Sequence, residues 1–89
     1  MVKVKNMTSS NGNKIANQFE IETDDAYYFQ SYDSVIAKIQ KNNGAVVLDG
    51  KFWDYSKTTG RYRNIFLSAT KKETQKCIDN GEYILANLN

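Results

Sequence analysis

The sequence predicts an α+β domain: a small, antiparallel, strongly bent sheet of about five to six strands, with two short helices before the last strand. Three observations carry that expectation. Through residues 2–49, apolar and polar residues alternate in short runs broken by Asn-Gly, Asp-Asp and Asn-Asn-Gly, as strands joined by hairpins do. Thr70 and Glu73 form a capping-box pair that opens a helical stretch, and Gly81 stands where that helix should end. Tyr83-Ile84-Leu85-Ala86 then returns to strand character.

The elements follow in order. Val2 and Val4 alternate with Lys3 and Lys5, which suits an edge strand whose lysines discourage pairing with other chains. Asn11-Gly12 gives the first turn. Ile15, Asn17, Phe19, Ile21 and Thr23 then form one period-2 face, with Glu20 and Glu22 on the other. Asp24-Asp25 turns the chain into Tyr27-Tyr28-Phe29-Gln30-Ser31-Tyr32, with Tyr27 and Phe29 on one side and Tyr28 and Tyr32 on the other. Val35, Ile36 and Ile39 fit a helical spacing as well as a strand, and their β-branching favours the strand. Asn42-Asn43-Gly44 leads into Ala45-Val46-Val47-Leu48-Asp49, a run suited to a central strand. Thr58 is the expected N-cap of a short helix in which Tyr62, Ile65 and Phe66 share a face. In the second helix Thr74, Cys77 and Ile78 lie along one stripe. A meander with a late helical insertion could also close into a small barrel.

With 89 residues the chain forms one domain, residues 1–89, since a single core needs roughly 50 residues or more. Composition is ordinary for a globular protein, and no apolar run approaches the roughly 18 residues of a membrane span. The N-terminal residues lack the apolar core of a secretory signal, so the cytoplasm is the expected compartment. Histidine is absent and Cys77 is the only cysteine, which removes intrachain disulfides, the usual zinc sites and histidine acid–base chemistry together. Cys77, on the apolar side of a helix, reads as a buried inert thiol. No enzyme, metal or cofactor is expected.

Charge is divided along the chain. Residues 20–33 hold five carboxylates (Glu20, Glu22, Asp24, Asp25, Asp33) and no base, whereas residues 51–76 hold seven bases against Asp54 and Glu73. Such asymmetry marks either an interaction surface or two solvated faces. Residues 52–67 interleave Phe52, Trp53, Tyr55, Tyr62 and Phe66 with Lys57, Arg61 and Arg63, beside Lys51. Rings beside cations suit stacking on single-stranded nucleic acid. They equally suit a helix buried on a sheet with Asp54, Ser56 and Thr58 at its amino end, and that structural reading is favoured. Hydroxyls near Arg61 and Arg63 could also receive a phosphate, though no Gly-rich phosphate loop is present. Asp49-Gly50-Lys51 is a weak match to the acidic-x-Lys element of metal-dependent nucleases, with Asp33 or Asp54 as the second carboxylate, and is better explained as a turn. Asp24-Asp25 is likewise a turn, too wet to act as an acid–base pair.

Several stretches together carry a resemblance: Ser31-Tyr32-Asp33-Ser34-Val35-Ile36-Ala37, Trp53-Asp54-Tyr55-Ser56-Lys57-Thr58-Thr59, Tyr62, Phe66-Leu67, Gly81-Glu82-Tyr83 and Asn87-Leu88-Asn89. Over nearly the whole chain the sequence resembles small uncharacterised proteins of phages, plasmids and integrated elements of Gram-positive bacteria. The Trp-Asp-Tyr-Ser-x-Thr-Thr signature is its most specific part. The resemblance implies an accessory role in a mobile element's encounter with its host.

The expected function is therefore binding without catalysis. The first candidate partner is a host or phage protein, engaged through Tyr28, Tyr32, Trp53, Tyr55, Arg61 and Arg63, with inhibition of a host defence system as the purpose. Nucleic acid is the second, held through residues 51–76 with Arg61, Arg63, Lys71, Lys72 and Lys76 on phosphates. A nucleotide signal bound in an oligomer's interface is the third. No membrane partner is expected.

Overall fold

The computed structural model describes residues 1–89. Strands β1 (Lys3–Thr8), β2 (Lys14–Glu22), β3 (Ala26–Ser31), β4 (Ser34–Gln40) and β5 (Val46–Asp49) come first. Helices α1 (Lys57–Leu67) and α2 (Lys71–Asp79) follow, and β6 (Tyr83–Ala86) ends the sheet. The strands lie side by side in sequence order, so the α+β class, the six strands and the helices before the last strand are as the sequence predicts. β4 occupies the ambiguous Val35–Ile39 segment, where β-branching decides over helical spacing. Gly12 (φ 80°) and Gly44 (φ 69°) occupy the left-handed conformation at their turns, which costs glycine nothing.

Two expectations about the sheet are corrected. β6 pairs parallel to β5, because the intervening helices return the chain to the end from which β5 began. The sheet also stays open: β1 and β6 are its two edges and do not pair, so there is no barrel. The ladder carries register irregularities between β1 and β2 and between β3 and β4. Between β3 and β4 the register runs Phe29 to Ala37 and then Gln30 to Val35, which leaves Ile36 as an extra residue. Ile36 and Ala37 are both fully buried.

In β2 the period-2 pattern breaks at Asn17, whose φ is 63°. Gln18 is turned inside instead and is fully buried. Opposite it, Tyr32 also adopts positive φ (53°), donates its N–H to the Asn17 carbonyl at 2.7 Å, and belongs to the turn after β3.

The core lies on one face of the sheet. Met7, Phe29, Ile36, Ala37, Val46 and Leu48 form it, covered by Trp53, Tyr62, Phe66, Leu67 and Ile78 from the helical half. Phe66 places α1 over the sheet centre, its ring centroid 5.9 Å from that of Phe29. Ile65 does not join this face and is 56% exposed. No helix is long and apolar enough to cross a membrane.

Candidate functional site

The Trp53–Thr59 signature is first of all a device for starting α1. The helix begins two residues earlier than Thr58 would place it: Ser56 is the N-cap, in extended conformation, and its Oγ accepts from the Thr59 N–H at 3.1 Å. Ser56 Oγ also reaches Thr59 Oγ1 at 3.2 Å, and Thr59 Oγ1 meets Ser31 Oγ at 2.9 Å. That hydroxyl chain ties the amino end of α1 to the end of β3. The turn carrying Tyr32 is thereby set beside the loop carrying Tyr55.

Arg63 closes the same device from inside. It is 1% exposed, so its placement among surface residues is corrected. Its guanidinium donates to the Trp53 carbonyl at 2.7 Å, Asp54 Oδ1 at 3.2 Å and Asn64 Oδ1 at 2.9 Å, and lies 5.1 Å from the Trp53 ring centroid. Lys71 of α2 completes the cluster from outside, 2.8 Å from Asp54 Oδ2. Burial works against ionisation of Asp54, but the bonds from Lys71 and Arg63 outweigh it and hold the carboxyl below its usual range.

Asp54, Ser56, Lys57, Gly60, Arg61, Arg63, Asn64 and Lys71 line an open groove of about 530 Å³ with no apolar lining residue. Four cations face one carboxylate there. Lys57 and Arg61 are exposed and make no ion pair, with the Arg61 guanidinium 5.7 Å from the Tyr62 ring centroid. Tyr55, just before the N-cap and 63% exposed, packs edge-on with Phe52 outside the groove lining. The groove therefore presents positive charge that no carboxylate neutralises.

The remaining expected site residues are dispersed. Trp53 is half-buried and packs on the core with Phe52, Tyr62 and Phe66, so four of the five aromatics in this segment serve the fold. Lys72 and Lys76 stand one turn apart on the exposed side of α2. Tyr28 lies on the opposite face of the sheet, under the Lys38 ammonium at 5.7 Å. Tyr32 is 50% exposed at the sheet end near α1. Ser56 and Asp54 are the residues that sequence reasoning undervalued. Their signal was the Ser-x-x-Thr spacing, which lets a serine hydroxyl reach the N–H three residues on.

Charge that is segregated in sequence is partly neutralised in space. Glu20 pairs with Lys5 at 3.4 Å, Glu22 with Lys41 at 2.6 Å and Asp24 with the N-terminal amine at 3.0 Å. Asp49 closes the turn after β5. It is 2% exposed and accepts from the N–H groups of Lys51 (3.1 Å), Phe52 (2.9 Å) and Leu88 (2.8 Å), tying the C-terminal tail to the end of β5. Burial opposes its ionisation, but the bonds from Leu88, Phe52, Asn89 and Lys51 prevail and lower its pKa. No three His, Cys, Asp or Glu side chains converge as a metal site would require. Cys77 is half-buried rather than enclosed; burial and the Glu82 carboxylate, 3.6 Å away, raise its pKa and disfavour the thiolate.

No curated protein and no solved structure matches the chain. A family model does, over residues 2–81, which takes in five strands, both helices and the whole groove. On that match the chain belongs to a family of unknown function, DUF8033.

Proposed function

We propose that the protein is a non-catalytic binding module that engages an acidic partner protein through the surface bearing Tyr32, Tyr55, Lys57 and Arg61. One observation supports this reading: Lys57 and Arg61, with no carboxylate partner, line an open groove in the first turns of a firmly anchored helix, and exposed tyrosines occupy the flanking segments. Tyr and Arg on a rigid support are the side chains that dominate protein interfaces. Tyr32 adds weight, because a left-handed tyrosine costs roughly 1–2 kcal/mol and here leaves half its side chain in solvent. A nucleic-acid partner is less well supported, since the rings needed for stacking are committed to the core and a carboxylate sits in the groove. Origin in a phage or other mobile element, and inhibition of a host defence system, extend the proposal on the Trp53–Thr59 resemblance.

Affinity capture from a Gram-positive bacterial lysate tests the reading, with the wild-type chain compared against Tyr55→Ala/Arg61→Glu. Both positions are exposed, so the variant keeps its fold. Loss of a specific partner from the variant is the expected result, and equal recovery of the same proteins would count against this surface. Tight binding to oligonucleotides that weakens steeply with salt would replace the protein partner by nucleic acid.

A further inference from the structure

The sheet face turned away from α1 and α2 carries a continuous cross-strand row. Val4, Ile21, Tyr28, Lys38, Val47 and Ile84 are paired each with the next from β1 to β6. No element covers this face, because both helices pack on the other one. Val4 is 61% and Ile84 58% exposed, and the four inner residues are half-buried by their neighbours alone. Phe19 and Val35 extend the apolar surface in the adjoining row. Exposure of this kind shows in the whole molecule. Only 14 of 89 residues are buried, and the accessible surface is 5785 Å². A compact monomer of 10.2 kDa would expose about 5,300 Å².

The row is self-complementary read from either end: Val4 and Ile21 from β1 answer Ile84 and Val47 from β6, and the Tyr28 ring answers the Lys38 ammonium. We infer that two copies of this chain pack sheet against sheet through this face. A two-fold axis along the strands, between β3 and β4, lays Val4 over Ile84 of the second copy and Ile21 over its Val47. Tyr28 then faces Lys38 of the second copy, and the reverse contact forms at the same time. Lys38 is the only charge in the row, and this symmetry sets it against a ring rather than against another lysine. A strongly charged partner finds no complementary charge here, whereas a second copy finds a matching apolar row. The area suits a weak, reversible pair. Six strands about 4.8 Å apart span about 24 Å, and strands averaging about six residues are about 20 Å long, so the face is roughly 500 Å² per copy, or about 1,000 Å² buried by the pair, the low end for a specific interface. Aligned sheets packed about 10 Å apart accommodate these side chains.

Sedimentation velocity on the full chain should give a mass that rises with concentration towards twice 10.2 kDa at about 100 μM and above. Ile84→Lys should weaken the dimer at least about 10-fold while leaving the circular dichroism spectrum unchanged, since the position is already exposed in the monomer. Pairing is read by cysteine cross-linking in a Cys77→Ser background. Positions 4 and 84 of one chain lie at opposite sheet edges, too far apart for an intrachain bridge. Val4→Cys with Ile84→Cys should therefore give a covalent dimer on oxidation, and neither single variant should. A monomer at every concentration, a dimer indifferent to Ile84→Lys, or equal cross-linking by the single variants overturns the inference.

Discussion

Arg63 holds one backbone carbonyl and two side chains at once: the Trp53 carbonyl, the Asp54 carboxylate and the Asn64 side-chain oxygen all accept from its fork. Removing it leaves a void beside Trp53 and unpaired acceptors around it. Arg63→Ala is therefore expected to cost about 2–4 kcal/mol in urea unfolding, with Arg63→Lys recovering less than half, because an ammonium cannot reproduce the planar fork. An unchanged urea midpoint in Arg63→Ala would show the cluster to be idle. Gln18 is the opposite case. It is fully buried, yet neither its amide nitrogen nor its oxygen has a partner. Gln18→Met, close in shape and without the stranded amide, should raise stability by about 1 kcal/mol. Neither role is visible in residue type alone: arginine reads as surface charge, and glutamine as a solvated strand position.

At the scale of elements, α1 depends on where its cap lies. Ser56 accepts from the Thr59 N–H and joins the hydroxyl chain to Ser31, while Thr58 is exposed. Ser56→Ala should lower the melting temperature at a cost of about 1–2 kcal/mol, and Thr58→Ala should leave it nearly unchanged. The reverse order would restore Thr58 as the cap. The capping box of α2 was readable because both partners lie within four residues, Thr70 Oγ1 accepting from Glu73 N–H at 3.1 Å and Glu73 Oε1 from Thr70 N–H at 2.9 Å. The β4 bulge was not readable, since an extra residue in one strand is defined only by the register of its neighbour.

For the whole molecule, acid should loosen the C-terminal tail. The pKa of Asp49 is lowered in the fold from an ordinary value of 3.8. Its ionised form therefore stabilises the protein fully above that value, and the contribution is lost as pH falls through the lower, folded-state value. Asp49→Asn should cost about 1–3 kcal/mol at neutral pH, and the gap to the wild type should narrow as the pH approaches 2. Denaturant melts across that range check the sign; a gap that widens in acid would mean that Asp49 is not the group responsible. Release of the tail should accompany the loss, because the Leu88 N–H is held by Asp49 Oδ1.

Local chemistry by itself settled much of this protein. Alternation and turn residues determined the strands, a capping box determined α2, and the absence of histidine with a single cysteine bounded the chemistry that the chain can perform. These are decided within a few residues of one another, where backbone geometry and hydrogen-bond reach leave few alternatives. Tertiary structure alone decided which charges stay free. Arg63 is drawn inside and Lys71 paired, while Lys57 and Arg61 remain open, because partners nine or more residues away compete for each cation. It also decided that one sheet face is covered and the other bare. Both helices follow β5 and cross to β6 on the same side, so the connection between those two strands covers one face and leaves the other to solvent.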